Sequence, residues 1–198
     1  MKKTMLLIAL SLITVVGYGQ KKKGGGKTAA GTSAKTENVS VELKGNKMIA
    51  SVDNAGKKEE LFSKTVDGSR KVSEAKVTKF KTQGTDLFYV SWKEVGSTKT
   101  DLKKEDATAI VSEIWDVNTK TQMIGNTQTT THIVEKVFLD KLKNASETQE
   151  RMRREGFEFS LLPTGDFILK DKKSETKYTY NATDKKYVAA NVGGKKKK

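Results

Sequence analysis

Residues 86–95 read Asp-Leu-Phe-Tyr-Val-Ser-Trp-Lys-Glu-Val, and they carry the most informative strand signal in the chain. β-branched and aromatic residues predominate in it, which favours a strand. From Leu87 to Trp92, apolar side chains occupy both alternating faces, whereas a strand with one wet face would alternate apolar and polar residues. We therefore predict that this segment is a central strand of a sheet.

The segments on its N-terminal side carry further strand signals. Residues 71–81 have a similar composition and precede the turn Gln83-Gly84-Thr85. Earlier still, two alternating runs flank Gly45-Asn46, a pattern that predicts a β-hairpin with apolar positions Val39, Val41, Leu43, Met48, Ala50 and Val52. Residues 59–66 are a candidate for a short helix.

Two segments after the central strand fit either a helix or a strand. In residues 107–117, Ile110, Val111, Ile114 and Trp115 have helical spacing, while Ala109, Val111, Trp115 and Val117 fit one strand face. We favour a strand there. Residues 133–142 have the same ambiguity, and periodicity alone does not resolve such short runs.

The C-terminal third predicts one helix followed by a meander. Ser146-Glu-Thr-Gln149 matches a capping box, which predicts a helix over residues 147–155 with Gly156 as its left-handed C′ residue. Four short alternating runs follow, with a turn at Leu162-Pro-Thr-Gly165. One face of this meander carries phenylalanine, leucine and tyrosine, and the other carries mainly Glu158, Ser160, Lys170, Lys177 and Thr179.

Together these patterns predict a mainly β fold with an α+β tendency. We expect an antiparallel meander sheet or a small barrel, packed with one short helix at about residues 147–155. The chain has 198 residues, and we assign residues 37–192 to a single β-rich domain. It has no cysteine, so the domain must be stabilised by its own core, and thiol chemistry is excluded.

The N-terminus resembles a bacterial type I signal peptide. Lys2 and Lys3 precede an apolar run from Met5 to Val16, and Gly17 and Gly19 occupy positions −3 and −1 of a cleavage site before Gln20. The run has twelve residues, whereas a membrane-spanning helix needs about twenty. We therefore expect residues 1–19 to be removed, no transmembrane segment after cleavage, and a periplasmic or secreted protein.

The basic character belongs mainly to the two ends. The net charge is +14, of which Lys2 and Lys3 supply two, residues 20–36 supply five and residues 195–198 supply four, so that the remaining body carries only +3. Residues 20–36 hold no apolar side chain larger than alanine, which predicts a disordered leader. Residues 193–198 form a matching basic tail.

The kind of basic residue indicates the kind of partner. Only four of the 38 basic residues are arginine, and lysine is a hydrated point charge that suits loose attraction to polyanions. We expect no specific nucleic-acid recognition and an acidic partner, either an envelope component or a protein. The candidate contacts are Arg151, Arg153 and Arg154, for which helix-end stabilisation is the simpler interpretation, and the tail residues Lys195, Lys196, Lys197 and Lys198.

No catalytic, cofactor or metal motif is complete. Gly24–Thr28 lacks the first glycine of a phosphate-binding loop, and His132 is the only histidine, which we interpret as an ordinary strand residue. Asp116-Val-Asn-Thr-Lys120 is typical of a hairpin turn. A calcium loop would need an oxygen ligand at Lys120. We therefore expect no enzyme and no cofactor.

Two functional hypotheses remain. The first is an exported, soluble, non-catalytic binding or accessory protein of the bacterial cell envelope, whose lysine tails contact acidic partners. The alternative is a barrel-type carrier of a small apolar ligand, with Trp92 and Trp115 lining its cavity. Aromatic residues in β-rich domains more often fill the core.

Overall fold

The chain folds as three antiparallel sheets. A computed structural model describes residues 32–190, of which 72% lie in strands and none in a helix. None of the sheets closes into a barrel. The predicted mainly β class and antiparallel pairing are therefore confirmed. The predicted signal peptide (1–19), residues 20–31 of the leader and the tail at 193–198 lie outside the described residues.

The described residues form thirteen strands, and each sheet is a simple meander. In chain order the strands are β1 (Ser33–Thr36), β2 (Val39–Lys44), β3 (Lys47–Asn54), β4 (Lys57–Thr65), β5 (Lys71–Thr82), β6 (Thr85–Lys99), β7 (Lys103–Asp116), β8 (Thr121–Phe138), β9 (Ser146–Glu155), β10 (Glu158–Leu161), β11 (Phe167–Lys170), β12 (Glu175–Asn181) and β13 (Lys186–Ala189). The first sheet is β1–β4, the central sheet is β5–β9 and the third sheet is β10–β13.

The central sheet is covered on both faces, and this explains the apolar run in β6. Phe88, Val90 and Trp92 belong to a buried cluster shared with the first sheet. Leu87 lies on the opposite face, in a second cluster shared with the third sheet. Because adjacent residues of a strand point to opposite faces, only an uninterrupted apolar run can contribute to both cores. The predicted central position of this segment is confirmed.

The first core lies between the first and central sheets. The predicted hairpin is confirmed as β2 and β3, which pair directly across Gly45-Asn46 and bury Val39, Val41, Met48, Ala50 and Val52. The short helix predicted for residues 59–66 is wrong, because these residues lie mostly in β4. That strand pairs with β3 and places Phe62 in a stack against Trp115, with ring centroids 5.0 Å apart.

The second core is aromatic and attaches the third sheet. Phe167 is fully buried and stacks on Phe159 at 5.2 Å and on Tyr178 at 4.8 Å. Tyr187 meets Phe167 edge-on and donates a hydrogen bond to the Gly165 carbonyl at 2.8 Å. Burial is the main cause that raises the pKa of the Tyr187 phenol above its usual range, with smaller effects from Asp166 and Tyr180. The predicted four-strand meander is confirmed as β10–β13.

The helix predicted for residues 147–155 is wrong, because Ser146–Glu155 form strand β9. β9 pairs with β8 over ten consecutive positions, from Phe138–Ser146 to Thr129–Glu155. The segment has a single apolar residue, Met152, so a helix of this length would have no face to bury. The backbone hydrogen bonds offered by the long β8 outweigh the capping-box signal, since local propensity is a weak prior.

The two ambiguous segments are also strands. The favoured strand over residues 107–117 is confirmed as part of β7, and residues 133–138 continue β8. Residues 33–36, the end of the predicted leader, form β1, so this part is not disordered. β1 pairs with β2, and the Thr36 hydroxyl donates a hydrogen bond to the Val77 carbonyl at 2.7 Å on β5.

Candidate functional site at the tip of the central sheet

One end of the central sheet is formed by the β6–β7 connection and the β8–β9 loop. The two lie side by side, because β7 pairs with β8 up to Lys103–Glu135 and β8 then continues to Phe138. We call residues 99–104 and 136–145 the sheet tip. Three of the eight exposed large apolar side chains of residues 32–190 lie in it, together with six lysines.

Backbone and side-chain hydrogen bonds hold the two loops of the sheet tip together. The Lys136 N–H, near the end of β8, donates to the Leu102 carbonyl at 2.7 Å and so joins β8 to the β6–β7 connection. Within the longer loop, the Asp140 carboxylate accepts hydrogen bonds from the N–H groups of Asn144 at 3.0 Å and Ala145 at 3.1 Å. The tip is therefore a formed structural element, with part of its backbone already satisfied.

Three leucines of the sheet tip are exposed to solvent. The exposed fractions are 45% for Leu102, 61% for Leu139 and 82% for Leu142. A single exposed leucine needs no explanation, but three in two adjoining loops form a local apolar surface. Removing such side chains from water is favourable, so this surface is suited to contact another apolar phase.

The sheet tip also contains many lysines. It has six lysines and two aspartates. Lys103 and Lys104 pair with Glu105 at 2.6 Å and Asp106 at 2.7 Å, and these contacts lower the pKa of each carboxyl group. Within residues 32–190, the other four make no ion pair; they are Lys99, Lys136, Lys141 and Lys143.

Two of these lysines lie over an aromatic ring. The ammonium groups of Lys136 and Lys143 lie 5.7 Å and 5.4 Å from the centroid of the Phe138 ring. Such cation–π contacts are worth about 0.5–1 kcal/mol at exposed sites. They hold both ammonium groups over the Phe138 ring, and neither lysine makes an ion pair within residues 32–190.

The predicted arginine cluster is divided between the two faces of β9. Arg151 lies opposite Ile133 and pairs with Glu135 at 3.2 Å, and Arg153 pairs with Glu155 at 3.3 Å on the same face. Arg154 lies on the other face, where it lines a shallow cleft with Gln128. The helix-end interpretation of these arginines is wrong, because they lie in a strand.

The predicted tryptophans lie in the first core. Trp92 and Trp115 are 3% and 6% exposed, and both rings pack against Phe62. The Trp92 indole N–H donates to Glu94 at 2.9 Å, and that of Trp115 donates to Glu113 at 2.8 Å. Their apolar surface is therefore already occupied by neighbouring side chains.

A half-buried ion pair lies beside Trp115, and no sequence pattern predicts it. Glu113 is 2% exposed, and its carboxylate contacts the Lys64 ammonium group of β4 as well as the Trp115 indole. The Lys64 ammonium lies 5.5 Å from the Phe62 ring centroid. In the sequence, nothing distinguishes Glu113 from the other acidic residues of β7. This pair connects the first sheet to the central sheet.

His132 lies on the surface of β8. It contacts the Glu150 carboxylate and is cross-strand neighbour to Asp106 and Met152. The groups of three or more metal-ligating side chains that a metal site needs are not found in residues 32–190. Asp116 accepts hydrogen bonds from the N–H groups of Asn118 at 2.9 Å and Thr119 at 3.3 Å, which confirms the predicted hairpin turn.

Three further results bear on function. The tail residues 195–198 lie outside the described part of the chain. Across residues 32–190, no helix has the length and apolar character needed to cross a membrane. Comparison with known proteins finds no matching family model, no matching curated protein and no matching solved structure.

Proposed function

We propose that this chain is an exported, non-catalytic binding or accessory protein of the bacterial cell envelope, and that it contacts acidic partners through lysine. The sheet tip is the observation that best supports this proposal, because it combines three exposed leucines with four lysines that make no ion pair within residues 32–190. The lysines of residues 20–36 and 195–198 add to the same attraction. The carrier hypothesis has less support, because its tryptophans pack in a core between two sheets.

Export is tested by the N-terminus of the protein in cells. We expect protein recovered from the envelope or the medium to begin at Gln20, since Gly17 and Gly19 supply the small residues that signal peptidase requires. Mass spectrometry of the N-terminal peptide measures this directly. Replacing Gly19 with Tyr should leave an uncleaved precursor, whereas a mature protein that begins at Met1 would contradict export.

Binding to acidic partners is tested with the mature chain and heparin. We expect binding that weakens steeply with added salt, because exposed charges are screened beyond a Debye length of about 8–10 Å. A variant lacking residues 20–31 and 195–198 removes eight lysines but keeps β1, so its melting temperature should equal that of the mature chain. Absence of salt-sensitive binding in both proteins would contradict the proposed function.

A further inference from the structure

We infer that the sheet tip is a membrane-contact surface, which inserts Leu139 and Leu142 between the headgroups of an anionic bilayer while its lysines contact the lipid phosphates. The inference rests on the proposed function and names its partner and its contact surface. Both leucines lie in the β8–β9 loop, where Leu139 is 61% and Leu142 is 82% exposed.

The shape of the tip suits shallow insertion. The β8–β9 loop reaches past the β6–β7 connection, so Leu139 and Leu142 can enter a bilayer surface while the sheets remain in water. The Asp140 carboxylate already accepts two backbone N–H groups of the loop. This matters because backbone polar groups without partners are costly to move out of water.

The charge of the tip matches an anionic surface. Lys141 and Lys143 lie in the same loop as the two leucines, and Lys136 lies just before that loop, near the end of β8. None of the three makes an ion pair within residues 32–190. Lysine has a long apolar stem, which can lie along acyl chains while its ammonium group stays among the phosphates. Each lysine close to an anionic bilayer contributes roughly fivefold to affinity.

A bilayer fits this surface better than a protein partner does. A stable protein interface buries about 800 Å² on each side and is usually anchored by aromatic residues or arginine. The sheet tip offers three leucines and lysines, and its one aromatic residue, Phe138, lies beneath two ammonium groups. A lipid surface requires no shape complementarity, and one apolar patch with a few lysines suffices for reversible binding.

The test compares matched variants of the mature chain on vesicles of phosphatidylglycerol and phosphatidylethanolamine. We expect Leu139→Asn with Leu142→Asn to weaken vesicle binding at least about tenfold, since each leucine loses its transfer out of water. Heparin binding should not change, because no charge is altered. The control pair, Ile110→Asn with Val188→Asn, removes two exposed apolar side chains outside the tip and should bind vesicles normally.

A second measurement detects insertion directly. The chain has no cysteine, so Leu142→Cys and Val188→Cys each provide a single site for an environment-sensitive fluorophore. We expect a blue shift on addition of anionic vesicles for the label at 142 and none for the label at 188. Neither label should shift with phosphatidylcholine vesicles, which lack the anionic headgroups.

The outcomes separate the two proposals. Heparin binding without vesicle binding would overturn the membrane inference and leave the proposed function in place. Vesicle binding that survives both leucine substitutions, with no shift at position 142, would also overturn it, because the contact would then lie elsewhere. Failure to bind either probe would overturn the proposed function itself.

Discussion

Replacing Lys64 with methionine is expected to lower the free energy of unfolding by about 2–3 kcal/mol. The reason lies in its partner, because Glu113 is 2% exposed and would keep only the Trp115 indole N–H as a hydrogen-bond donor. A buried carboxylate without its counter-charge is strongly unfavourable. Urea unfolding measures the change, and the melting temperature should fall by about 4–12 °C for a chain of this size.

Two control variants distinguish the loss of the Lys64–Glu113 ion pair from a general effect of losing a lysine. Lys58→Met changes a residue of the same strand whose side chain is 60% exposed and 3.9 Å from Glu42, and exposed pairs of this kind contribute less than about 1 kcal/mol. Adding Glu113→Gln to Lys64→Met removes the unpaired charge and should restore most of the stability. A Lys64→Met protein as stable as Lys58→Met would show that Glu113 does not need its partner.

The sequence predicts the fold wherever side-chain alternation reflects burial. The run Leu87–Trp92 predicts a central strand because the two cores need apolar residues on both of its faces. The hairpin at Gly45-Asn46 and the meander of β10–β13 follow from alternation with turn residues between the runs. These signals are local, so a single sequence is sufficient to recognise them.

Prediction from the sequence is wrong where the structure of a segment is determined by pairing with another strand. β9 has all ten residues exposed, so its alternation contains no signal of burial, and the capping box at Ser146 predicts a helix instead. What makes it a strand is the unpaired edge of β8. Its charged residues are then typical of an edge strand, because Arg and Glu side chains discourage pairing with further chains.

The candidate site was only partly predictable for the same reason. Composition shows that lysine predominates, and this directs attention to acidic partners. The meeting of residues 99–104 with residues 136–145 depends on the register of β7 against β8, which no local pattern specifies. In the sequence Leu142 is an ordinary loop residue, and only the structure shows that it is exposed at the sheet tip.

Replacing Gly156 with alanine is expected to destabilise the protein by about 2–5 kcal/mol. Gly156 joins β9 to β10 with φ of +76°, a conformation that costs an L-residue about 1–2 kcal/mol. In addition, a Cβ atom at this position would clash with the Thr127 carbonyl oxygen of β8. The Thr127 carbonyl belongs to the backbone of β8, so the clash is relieved only by moving β8 or the β9–β10 connection.

Gly45→Ala is the matched control for this substitution, and the difference between the two variants measures the clash alone. Gly45 also has a positive φ, +60°, but a Cβ atom there meets nothing within 4 Å. We expect Gly45→Ala to cost only the conformational part, about 1–2 kcal/mol, in the same urea titration. Equal losses in both variants would mean that Gly156 is required for its backbone conformation and that β8 accommodates the added methyl group. A larger loss for Gly156→Ala would instead show that the approach of this turn to β8 fixes where the third sheet begins.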